Sequence, residues 1–169
     1  MRFVWLTLAV YLAAVAETSL IDVLRIGEVT PDLLALVAVV WLLTSGSPRA
    51  FLGAGAVALV GDLIAPGHLG VGMGWMLLAG YGVGRLRARF RLEHLGWQVL
   101  ITFATVAAWA AAVGATGRLI GDLSLAWSAV VPRALGVGLY TAAVALPVWM
   151  VVGWIRQPFL ARKRRLAEF

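Results

Sequence analysis

Ionisable side chains are scarce in this chain, and the few that border long apolar stretches limit its chemistry to pairing between carboxylates and guanidinium groups. Glu17 lies near the end of the first apolar block, Asp32 opens the second, Asp62 closes the third and Arg133 opens the last, with Arg118 just before it. Charges bordering an apolar phase face one another, because a lone one is poorly solvated. We therefore expect Asp32 and Asp62 to lie close together at one mouth of the molecule, with Arg133 or Arg118 as their cation. Asp32 also has a purely architectural reading. Behind Pro31 it suits the first turn of a helix, where a carboxylate meets unsatisfied backbone N–H groups. A site for a small molecule or a partner, built on the same residues, is the alternative use.

Other chemistry is hard to find. There is no cysteine, which removes thiol nucleophiles and thiolate metal sites. His68 stands without a second histidine or a glutamate at metal-ligand spacing. Nucleophile-elbow, zinc-protease, Walker and dinucleotide-binding patterns are missing from suitable contexts. Gly61-Asp62 matches half of an intramembrane aspartyl protease motif, but Leu59 occupies the place of its first glycine. The expectation is a protein that is not an enzyme and takes no metal or cofactor.

The elements that must hold these residues are apolar helices. Hydrophobic residues make up 62% of the chain and charged ones 13%, against roughly half and a quarter in soluble domains. Six apolar blocks emerge, at about Phe3 to Leu20, Pro31 to Thr44, Phe51 to Ile64, Leu69 to Gly84, Trp97 to Thr116 and Ser128 to Trp154. The expected fold is all-α, a single domain over residues 1–169 with six transmembrane helices in one bundle. Arg2 followed by an apolar run resembles a secretion signal, but the first helix is expected to be retained.

Charge sets the orientation. Arg2, Arg49, Arg85, Arg87, Arg89, Arg91, Arg156, Arg162, Lys163, Arg164 and Arg165 fall on one side, and only Arg25, Arg118 and Arg133 on the other. Basic residues mark the cytoplasmic side, so both termini are expected there. The outer side holds Glu17, Asp22, Glu28, Asp32, Asp62 and Asp122, leaving Glu93 and Glu168 inside. A net charge of +6 distributed in this way points to membrane ends rather than to nucleic acid.

Arg85, Arg87, Arg89 and Arg91 alternate with apolar residues, which after a membrane block reads as an interfacial connector. Its uses are topology and contact with anionic lipids, or docking of an acidic cytoplasmic partner. Glycine and alanine recur at four-residue spacing, as in Gly70 with Gly74 and Gly80 with Gly84, which suits close helix packing. Gly53, Gly72, Gly80 and Ala108 are the expected packing positions for a partner helix. The eight tryptophans fall mostly near block ends, as an interfacial belt does.

Pro31-Asp32-Leu33-Leu34, followed by Gly61-Asp62-Leu63-Ile64 and Pro66-Gly67-His68-Leu69-Gly70, resembles the rod shape-determining MreD family in order, spacing and membrane context. The first four blocks carry the resemblance, and the last two agree only in hydropathy and a basic end. It implies a multi-pass, non-enzymatic scaffold of the cell-elongation machinery in the bacterial inner membrane. The implied partners are an MreC-like bitopic membrane protein and, through it, MreB and RodA with its class B transpeptidase, organising lateral peptidoglycan synthesis. The family is also similar to the six-helix substrate-binding subunits of energy-coupling-factor vitamin transporters. Such a subunit is therefore the alternative function.

Overall fold

The computed structural model describes residues 2–19, 21–25, 29–45, 47, 49–65, 69–90, 94–121 and 126–166, the side chains of 2, 3, 21, 22 and 155–166 excepted. Seven helices run through them: α1 (Arg2–Ser19), the single turn α2 (Ile21–Leu24), α3 (Leu33–Thr44), α4 (Ala50–Ile64), α5 (Val71–Arg89), α6 (Leu95–Ile120) and α7 (Trp127–Leu166).

The innermost helix is α3, and its sequence explains why. Twelve residues from Leu33 to Thr44 contain no ionisable group, and a helix that is apolar all round is stable only when covered all round. Leu34, Ala35, Leu36, Ala38, Val39, Leu42 and Leu43 are buried. Helices α1, α4, α5, α6 and α7 all pack against α3. The remaining contacts follow chain order, α4 on α5, α5 on α6 and α6 on α7, with α1 reaching α4. Helices α1 and α7 do not pack on each other, so the ring around α3 has a seam.

Two further features draw the helices together. At the α6–α7 crossing, a Cβ on Gly138 would lie 2.8 Å from the Ala107 Cβ and 3.1 Å from the Phe103 carbonyl oxygen, so only glycine allows that approach. Lower on the same pair, the Nε1 of Trp149, which is 1% exposed, donates to Thr102 Oγ1 at 3.2 Å; Thr102 in turn donates to the Gln98 carbonyl at 2.7 Å.

Apolar side chains cover the outside as well. Trp5, Leu8 and Leu12 on α1, Leu52 and Leu63 on α4, Leu78 on α5, Leu100 on α6 and Leu139 and Met150 on α7 are exposed. Among the long helices only α3 presents none. Helix α6, and α7 over Trp127–Trp154, are long and apolar enough to cross a membrane; Val4–Ser19, Leu33–Thr44 and Ala50–Ile64 form shorter apolar helices. At 1.5 Å per residue α3 is about 18 Å long against a hydrocarbon layer of about 30 Å.

Three sequence expectations change. Helix α5 continues through Arg85, Arg87 and Arg89, where the alternating pattern had pointed to a connector. Continuing the helix gives the backbone N–H groups along that stretch intrahelical acceptors, which an extended strip would not do. Helix α6 is longer at both ends than the apolar block, and α7 runs on to Leu166. The tryptophans divide: Trp5, Trp75, Trp97, Trp127 and Trp154 are exposed, whereas Trp149 is buried and Trp41 and Trp109 are half-buried, packed against the core.

Candidate functional site at the acidic end of the bundle

The C-termini of α1, α4 and α6 and the N-termini of α3, α5 and α7 gather at one end. Asp32 has extended backbone just before α3, with φ −94° and ψ 96°, and its Oδ1 accepts from the Ala35 N–H at 2.6 Å. This is an N-cap held in place from another helix, since the Asp32 N–H donates to Thr141 Oγ1 of α7 at 3.0 Å. Pro31 restricts the backbone before it and has no N–H to satisfy.

Asp62 does similar work for a helix it does not belong to. Its Oδ2 accepts from the Gly70 N–H and the Met73 N–H, both at 3.0 Å, across the turn between α4 and α5. A carboxylate at that place meets the positive end of the α5 dipole. Gly70 stands before the helix at φ +91°, a conformation in which a side chain is strained. Gly72 is the next requirement, because a Cβ there would overlap Asp62 Oδ1 and press on Trp109. The Gly72 carbonyl accepts from Trp109 Nε1 at 3.0 Å, which ties α5 to α6.

The expected cluster is therefore divided. Asp32 and Arg133 line one cavity of about 240 Å³, together with Glu17, Thr30, Trp109 and apolar residues of α6 and α7. Asp62 does not line that cavity, and its carboxylate is taken up by backbone N–H groups rather than by arginine. Arg118 lies in the last turn of α6, where a cation faces the negative end of the helix. Among the described residues no ion pair joins Asp32 or Asp62 to Arg133. Glu17 lies close to Asp32, and its Oε2 is buried without a hydrogen-bond partner. Among the described residues no three His, Cys, Asp or Glu side chains gather as metal ligands.

The basic end differs in kind. Arg87 Nη1 donates to the Leu42 carbonyl at 3.1 Å, closing the C-terminal turn of α3. Arg85 lies over the Tyr81 ring, 5.4 Å from its centroid, and donates to the Tyr81 hydroxyl at 2.9 and 3.1 Å. Arg89 is exposed in the last turn of α5. Arg91 lies outside the described residues, as do His68, Glu28, Glu93 and Asp122.

Of the residues expected to receive a partner helix, three already face the interior. Gly53 packs on Trp41, Gly72 on Asp62, and Gly80 on Phe51 and Leu42, where an added Cβ would come within 3.1 to 3.3 Å. Ala108 remains exposed on α6. On α5 the helical glycines with open space beside them are Gly74, Gly82 and Gly84, all exposed. Thr141, Thr30 and Trp109 are missing from the residues singled out in the sequence. Only Trp109 carried a signal there, as a tryptophan well inside an apolar block. Comparison with family models, with curated proteins and with solved structures finds no match for this chain.

Proposed function

We propose that the chain is a multi-pass scaffold of the bacterial inner membrane, its six long helices crossing the bilayer with both termini in the cytoplasm. On this reading it receives the transmembrane helix of an MreC-like partner and so contributes to lateral wall synthesis. One observation supports it above others. Asp32 and Asp62, the acids within the motifs that resemble the MreD family, are committed to the N-termini of α3 and α5. Carboxylates tied to backbone N–H groups hold an architecture together, which is the requirement of a scaffold. Arg85 and Arg89 at the basic end are available to anionic lipids.

The partner face follows from the open glycines. Gly74, Leu78 and Gly82 recur at four-residue spacing on α5 and are all exposed, giving a groove that another helix can approach closely. Co-purification of an MreC-like partner with full-length variants tests this. Gly74→Leu and Gly82→Leu should keep wild-type folded yield and lose the partner. Undiminished capture with both, and with Ala108→Leu, would refute the docking face. Saturable vitamin binding without any captured partner would replace the scaffold with the substrate-binding transporter subunit.

A further inference from the structure

The cavity at the acidic end has no part in partner docking, and its lining is unusual for a space between apolar helices. Glu17, Asp32, Trp109 and Arg133 all line it, so two carboxyl groups and one arginine share the space. None of these charges neutralises another directly. Asp32 is occupied with its own helix through one oxygen, Glu17 Oε2 is buried with no hydrogen-bond partner, and Arg133 makes no ion pair among the described residues. A buried carboxyl oxygen without a partner is costly unless something hydrogen-bonds it, and Arg133, itself exposed, brings a cation to the same space. Its volume of about 240 Å³ exceeds that of a few waters.

We infer that this cavity binds a small zwitterionic group, its primary ammonium on Glu17 and Asp32 and its anionic part on Arg133. A primary ammonium supplies three N–H donors for the two carboxyl groups, and a guanidinium takes a phosphate or carboxylate with paired hydrogen bonds. The cavity takes residues from both α1 and α7, the pair that leaves the ring around α3 unclosed, and on the proposed membrane reading that seam gives a lipid headgroup a way in. Phosphoethanolamine has the required groups, whether free or as the headgroup of a phospholipid. This inference is independent of any partner helix, and neither its success nor its failure bears on docking at α5.

The test uses the full chain, purified and reconstituted. Retention of phosphatidylethanolamine against phosphatidylcholine is read by native mass spectrometry, and binding of free phosphoethanolamine against phosphocholine by calorimetry. A trimethylammonium group has no N–H, so ethanolamine should be preferred by about tenfold or more. Glu17→Gln should abolish that preference and Arg133→Gln should weaken binding of both headgroups about tenfold or more, while Arg49→Gln at the basic end should change neither. Preference in the lipid arm alone assigns a headgroup site, and preference in the free arm assigns a soluble ligand. Absence of preference in both arms overturns the inference, as does a preference that survives Glu17→Gln or binding that Arg133→Gln leaves undiminished. Arg133 is exposed, so its variant keeps the inference testable through the loss of binding if Glu17→Gln does not fold.

Discussion

The two ends of the bundle use charge in opposite ways. At the acidic end Asp32 and Asp62 accept from the backbone of helix N-termini, and Thr141 and Trp109 hold the capped segments to neighbouring helices. At the basic end, among the described residues, Arg87 alone of the arginines hydrogen-bonds another helix, and Arg85 stays on its own helix, over Tyr81. Both patterns suit the helix dipoles, with carboxylates at N-termini and a guanidinium at the C-terminus of α3. The difference is that short carboxylates tie backbone to backbone, whereas long arginines leave most of their charge free for solvent or lipid. One end is a fastening and the other a surface.

Breaking the fastening should have the largest effect. Asp62→Ala leaves the Gly70 and Met73 N–H groups without an acceptor, and we expect a loss of about 3 kcal/mol, read as thermal stability in detergent and as folded yield. Wild-type stability for this variant would remove the contrast between the ends. Gly80→Leu should follow at about 2 kcal/mol or more, because Phe51 and Leu42 already touch the position; retention of full folded yield would show that α4 and α5 can part. Asp32→Ala removes an N-cap and should cost about 1 kcal/mol, with Asp32→Asn recovering most of it. Arg87→Ala should cost less than Asp62→Ala, near 1 kcal/mol, for the single bond to the Leu42 carbonyl. The smallest effect belongs to Arg85→Ala, within about 0.5 kcal/mol by the same melting measurement, since Tyr81 and Arg85 are both exposed.

Much of this architecture is legible in the amino-acid order, for reasons that differ by residue. Pro31-Asp32 before twelve apolar residues announces both the start of α3 and its burial, because capping and hydropathy are local properties. The role of Asp62 is not local. Its acceptors' partners lie eight and eleven residues further on, and they meet it only because Gly70 turns the chain. The arginines of α5 misled through their period of two, where the need to satisfy backbone groups outweighed the pattern. Small-residue spacing showed that close helix packing was present but could not show whether a glycine faced inward or outward. Gly80 and Gly82 differ in just that respect. The cavity joins residues from α1, α6 and α7, and nothing in their separate sequence surroundings announces the meeting.

The clasp made by Asp62 also bears on how the protein is made. As the chain leaves the ribosome, Asp62 emerges before the backbone that neutralises it, and its second hydrogen-bond donor follows eleven residues later. Until then α4 would carry an unpartnered carboxylate, and on the proposed membrane reading that is a poor state in which to partition into lipid. The first turn of α5 removes that obstacle. If the chain is the multi-pass protein proposed above, α4 and α5 would enter the membrane together as a helical hairpin, and a pause in translation between residues 65 and 73 would stall both.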